Sequence, residues 1–166
     1  MEAVNFHVDI KEISECLGMV NVVKEVTKGQ RVFPVFDIGC GKRPTLGILL
    51  MLEVKSINHV ISIDPQLDVS LAKNINGLYK HDKTLKEFCE TWSAQTNPTK
   101  LDNPLICINH GHVNKKELQL LFDKCNNYTY ITNPCCVNNK LDKGLYFKDK
   151  HINSPKNEIF VFQKEV

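Results

Sequence analysis

No run of about 18 apolar residues occurs in the 166-residue chain, so no membrane-crossing helix is expected. Its first residues, Met1-Glu2-Ala3-Val4-Asn5, lack the basic and then apolar layout of a secretory signal. Internal repeats, low-complexity tracts and an interdomain linker are also missing. That absence and the length imply one domain over residues 1–166. A large charge of one sign is lacking too: the formal net charge is +2, so composition neither requires nor excludes a nucleic-acid partner. The seven cysteines contain no C-x-x-C pair. An odd set of thiols without a secretory signal is expected to be reduced, in an intracellular chain, cytoplasmic or nuclear, with no metal site.

What is present is alternation of two periodicities. Ile13, Cys16, Leu17, Val20 and Val23 fall at helical spacing and predict a leading amphipathic helix over 10–28. Pro34 opens a strand that runs to Ile38, and an apolar helix over about 45–55 follows. A second strand spans 59–63. Leu67, Leu71, Ile75 and Leu78 predict a helix, and Leu78 to His81 a short third strand ending at Asp82. Leu85, Phe88, Cys89 and Trp92 stripe another helix. Leu105 to Asn109 is a fourth strand, Asn114 and Glu117 form a capping-box-like start to the next helix, and Tyr128 to Thr132 is a fifth strand. Leu145–Lys150 and Glu158–Gln163 are two closing strands. The expected fold is α/β: a Rossmann-like, mostly parallel sheet of about seven strands, helices on both faces, and a closing antiparallel hairpin that adds one antiparallel strand at an edge.

Within that order, Asp37-Ile38-Gly39-Cys40-Gly41-Lys42 lies between the first strand and its helix. Asp64 stands at the end of the second strand. A glycine turn lets backbone approach a ligand, and an acid one βα unit later offers two oxygens to the hydroxyls of a ribose. The pairing predicts a nucleoside site at the strand-one and strand-four switch point.

These residues resemble the class I S-adenosylmethionine-dependent methyltransferases. Asp37-Ile-Gly39-Cys-Gly41 is similar to the family's D/E-x-G-x-G motif, Val60-Ile-Ser-Ile-Asp64 to its second motif, and His81-Asp82 to the acid that often contacts the adenine amino group. The resemblance implies S-adenosyl-L-methionine as cofactor, held by Asp37, Gly39, Gly41, Asp64 and Asp82, and methyl transfer with RNA as the expected substrate. A narrower likeness joins the Asp37–Lys42 turn and Cys135-Cys136 to a methyltransferase-like family that includes a eukaryotic tRNA ribose methylase. Against that pattern, Arg43-Pro44 replaces a third glycine, and Asn109-His110-Gly111-His112 replaces a cysteine near the end of strand four. The alternative is a catalytically inactive methyltransferase-like subunit that stabilises or activates a protein partner. A nucleotide-binding reductase is the more distant option.

The remaining groups have two readings each. Asn109 and His110 stand where the methyl group would be, and His110 is the candidate to take the acceptor's proton; otherwise this is a polar loop lining the cleft. Lys42 and Arg43, ahead of a helix, attract an anion or are solvated cations. Asn133-Pro134-Cys135-Cys136 departs in place and content from the N-P-P-Y motif of amino methylases, so an adenine-N6 methylase is excluded. Lys24 or Lys28, Lys140 or Lys143, and Glu158 match a cap-type Lys-Asp-Lys-Glu set only with its aspartate missing. The late lysines with Tyr146, Phe147 and His151 are a nucleic-acid groove or the charged face of an edge hairpin.

Overall fold

The structure is a computed structural model that describes residues 9–28, 30, 34–95, 100–134, 144–149, 152 and 157–164. Helix α1 (Ile10–Thr27) begins where the Asp9 side chain accepts the Lys11 N–H at 3.0 Å, and ends at Lys28 in the left-handed region. Then follow β1 (Val35–Ile38), α2 (Thr45–Glu53), β2 (Val60–Ile63), β3 (Leu78–His81) and α3 (Leu85–Gln95). The rest is β4 (Leu105–Asn109), α4 (Lys115–Phe122), β5 (Tyr128–Asn133), β6 (Leu145–Lys148) and β7 (Glu158–Lys164). Among the described residues no helix is long and apolar enough to cross a membrane.

The seven strands form one sheet in the order β3-β2-β1-β4-β5-β7-β6. The first five are mutually parallel, and β7 is antiparallel to both its neighbours. Period-two alternation divides the apolar side chains between two cores. Val35, Leu105, Cys107 and Ile131 face α1 and α2; Phe36, Ile106, Ile108 and Tyr130 face α3 and α4. Chain order reverses between β1 and β4, which opens a crevice at the carboxyl ends of those strands.

Two expectations are corrected. The Leu67, Leu71, Ile75, Leu78 spacing does not form a helix: residues 65–77 run as successive turns. The Asp68 side chain accepts the Ser70 N–H at 2.9 Å, a local alternative to helical bonding, and Ala72 sits at φ 53, where a right-handed helix cannot pass. Lys80 fixes the segment by donating to the carbonyls of Val69 and Leu71. The antiparallel strand of the closing hairpin is also not at the edge. β7 lies between β5 and β6 because Ile159, Val161 and Phe162 are buried, whereas Leu145 and Tyr146 of β6 are exposed.

Two helix starts are legible as caps. Asn114 accepts the Glu117 N–H at 2.9 Å ahead of α4, and Thr84 exchanges bonds with Glu87 ahead of α3 at 3.2 and 2.9 Å. Asn114→Ala and Thr84→Ala are each expected to lower stability by about 1 kcal/mol. Urea unfolding checks this: the midpoint falls and the slope stays the same.

Candidate functional site

The loop after β1 and the loop after β4 meet backbone to backbone. Gly39 adopts φ 70, and a Cβ there would lie 2.6 Å from the Gly111 Cα. A Cβ on Gly111 would lie 2.9 Å from the Ile38 carbonyl oxygen. Gly41 differs: it also has a left-handed φ, of 67, but a Cβ there meets none of the described residues within 4 Å. Its N–H donates to Asp64 Oδ2 at 2.9 Å, while Asp64 Oδ1 accepts the Gln66 N–H at 2.7 Å. The carboxylate at the end of β2 therefore fixes the glycine turn as well as facing the cleft.

The meeting of the loops divides the crevice into two lobes. One, of about 430 Å³, is lined by Ile63, Asp64, Lys83, Thr84, Leu85 and Val113 among others. The other, of about 480 Å³, is lined by Glu12, Glu15, Cys16, Asp37, Thr45 and Asn109 among others. Gly39, Gly41 and His110 line both.

Of the residues expected from sequence, the structure brings Asp37, Gly39, Gly41, Asp64, Asn109 and His110 to this divided crevice. Asp82 follows β3 at the same end of the sheet, but it is exposed and its neighbours Lys83 and Thr84 line the lobe instead. Cys135, Cys136, Lys140, Lys143, Lys150, His151 and Lys156 lie outside the described residues. Lys24 forms an ion pair with Glu53 of α2 at 3.0 Å. Among the described residues no group of three or more histidine, cysteine, aspartate or glutamate side chains is placed to hold a metal ion.

Asp37 is 1% exposed. Its Oδ2 accepts the Gly47 N–H at 3.0 Å and the Ser62 hydroxyl at 3.1 Å, tying β1 to α2 and β2. Its Oδ1 is buried without a hydrogen-bond partner among the described residues. Burial pushes its pKa up to about 7, against the opposing pull of the Ser62 and Gly47 bonds. The cysteines near the cleft, Cys16 and Cys40, are held as thiols by the same desolvation, so neither is a thiolate nucleophile.

The sequence reading missed two acids on α1. Glu12 Oε1 accepts the Thr45 hydroxyl at 2.7 Å, and Glu15, 4% exposed, places Oε2 at 3.2 Å from His110 Nε2. The predicted stripe of Ile13, Cys16, Leu17, Val20 and Val23 leaves Glu15 on the far side of the helix, so the sequence did not mark it as buried. His110 itself has φ 56, and its N–H donates to the Asn133 carbonyl at 3.0 Å.

Two outcomes follow from the geometry. Gly41→Ala should cost only left-handed strain, about 1–2 kcal/mol, and Gly39→Ala clearly more because backbone must also move. Thermal unfolding of the two variants measures the difference. For Asp37, the folded state keeps a proton up to about pH 7, whereas the unfolded state releases it near 3.8. The folded state binds more protons between those values, so stability is expected to fall as pH rises through that window. Asp37→Asn should flatten that slope in a pH series of melting temperatures.

No protein-family model matches the chain, and no curated protein matches it in sequence. Solved structures do match. A point mutant of MtNAS in complex with S-adenosylmethionine superposes with a TM-score of 0.59 at 12% identity, covering 89% of this chain and 60% of that one. A second structure of the same mutant gives 0.57 at 13% identity, over 87% and 58%. The plantazolicin methyltransferase BpumL, in complex with a triazolic desmethylPZN analog and SAH, gives 0.49 at 12% identity, over 76% and 48%. The chain spans about 60% of the length of the MtNAS structures. It shares the Rossmann-like α/β fold of the MtNAS structures, with its crevice at the switch point of the sheet.

Proposed function

We propose that the crevice binds S-adenosylmethionine and that the chain transfers its methyl group to a nucleophile. The observation that carries this reading is Asp37 Oδ1, buried and without a hydrogen-bond partner among the described residues, on a side chain that lines the same lobe as Gly41. An uncompensated buried carboxylate oxygen costs about 1–3 kcal/mol, which a cationic ligand group offsets. The ammonium of the cofactor's amino-acid end is such a group, and Lys42 and Arg43 line the same lobe, where they suit its carboxylate.

Asp64 retains lone pairs beyond those used by Gly41 and Gln66, so it can still accept from a ribose. Ile63, Leu85 and Val113 supply the apolar walls an adenine needs. When bound, S-adenosylmethionine supplies a methyl group already activated on a sulfonium. The chain's part is to orient: the Gly39–Gly111 contact fixes the crossing between the lobes, and His110 faces both. The paired His110 and Glu15, 3.2 Å apart, are the candidate groups to receive an acceptor proton. An RNA acceptor, expected from the resemblance, is supported by Lys42 and Arg43 and, among the described residues of the hairpin, by the exposed Lys148. The inactive-subunit reading is favoured by Arg43-Pro44 in the turn, where Pro44 caps α2 without a side-chain bond.

The test is thermal shift with S-adenosylhomocysteine. The wild-type midpoint should rise by mass action, Asp64→Ala should lose the rise, and NADH should give none. The rise should grow as pH increases toward about 7, because only ionised Asp37 attracts the ammonium. An unmoved midpoint at millimolar ligand rejects the cofactor. A normal rise with no methyl transfer to any small-molecule, RNA, DNA or protein pool selects the inactive subunit.

A further inference from the structure

We propose that the acceptor is a small-molecule amine, received as an ammonium by the open carboxylate oxygen of Glu15 beside Glu12 in the lobe under α1. The inference rests on the methyl-transfer reading above for its second step, but its first step, amine binding, stands on the chain alone. Glu12 and Glu15 are three residues apart, so they share a face of α1, and both line the lobe that contains Asp37 and His110.

Glu15 is 4% exposed, and its Oε1 has no hydrogen-bond partner among the described residues. The Lys11 ammonium, on a side chain 53% exposed, comes only to 3.9 Å of it. His110 holds the other oxygen at 3.2 Å. Glu15 is therefore a buried carboxylate held closely at one oxygen, with only the distant Lys11 ammonium at the other, and a buried charge of this kind is stabilised by a further cation or donor. Asp37 is already assigned to the cofactor's ammonium, and the carboxylates Glu12 and Glu15 remain for the acceptor. A lobe of about 480 Å³ suits a small molecule.

The chemistry balances with these groups. The ammonium gives a proton to Glu15 Oε1, which frees the nitrogen lone pair. A nitrogen–carbon bond then forms as the carbon–sulfur bond breaks, and the bonding pair stays on sulfur as the sulfonium becomes a thioether. The product leaves as the methylated ammonium, and Glu15 returns its proton to solvent.

The experiment has two arms on the full chain and on Glu15→Gln. In the first, without cofactor, melting is followed with millimolar putrescine or with 1,4-butanediol, an uncharged molecule of the same length. Putrescine should raise the wild-type midpoint, butanediol should not, and Glu15→Gln should lose the response relative to its own midpoint. In the second, S-adenosylmethionine with a labelled methyl is offered putrescine or total RNA. Label should enter the amine, about tenfold or more slowly in Glu15→Gln, while that variant keeps its shift with S-adenosylhomocysteine. No putrescine shift, an equal shift in the variant, or label in RNA but not in the amine overturns the proposal. A Glu15-dependent putrescine shift without any S-adenosylhomocysteine shift upholds the amine site and rejects the cofactor reading instead.

Discussion

The approach of Gly39 to Gly111 is the constraint on which the crevice depends. Two loops from neighbouring parallel strands touch where any side chain would put a carbon 2.6–2.9 Å from backbone. Real carbons do not approach backbone that closely, so the contact exists only between glycines. It sets the separation of the β1 and β4 loops and turns one groove into two lobes joined at Gly39, Gly41 and His110. Gly41, with open space where a side chain would go, performs a different task from Gly39 two residues earlier. One glycine lets protein meet protein; the other leaves space beside the cleft.

Electrostatics gives the lobes different characters. The Asp64 side has Asp64, already held by two backbone N–H groups, and Glu117 together with the cation of Lys83, among apolar walls. The α1 side has Glu12, Glu15 and Asp37 beside Lys42 and Arg43, and two of the acids have a buried oxygen without a hydrogen-bond partner among the described residues. Purely structural acids would be expected to end fully bonded, as Asp37 Oδ2 is by Gly47 and Ser62. Each open oxygen costs about 1–3 kcal/mol against a net stability of about 5–15 kcal/mol. Two such costs in one lobe make sense for a chain that meets positive charge there.

How much of this was legible follows the sequence separation of the cause. The turn at 39–41 and the acid at 64 could be read because each motif is written within a few residues and its strand by local alternation. The Leu67–Leu78 spacing misled because periodicity counts apolar residues, whereas Asp68 and Ala72 decided the backbone. The place of β7 was hidden because hairpin sequence shows that two strands pair, not which one then joins β5. Glu15 and His110 are 95 residues apart, and only the packing of α1 beside the β4 end brings them together. Asn109 and Cys16, at 3.3 Å, report the same packing.

The backbone of His110 adds an independent argument that the junction of the lobes is built for a ligand. A side chain with φ 56 sits in a region that favours glycine, at a cost of about 1–3 kcal/mol. Glycine is available next door at 111, so the strain is not a simple need for a flexible loop. Two bonds hold it: the N–H to Asn133 at the end of β5, and the ring to Glu15 on α1. The conformation carries an imidazole to a point lining both lobes, where an extended backbone would direct it elsewhere. Strain retained by bonds from two separate elements, at the crossing of two cavities, marks His110 as a side chain held in one place rather than a loop residue at rest.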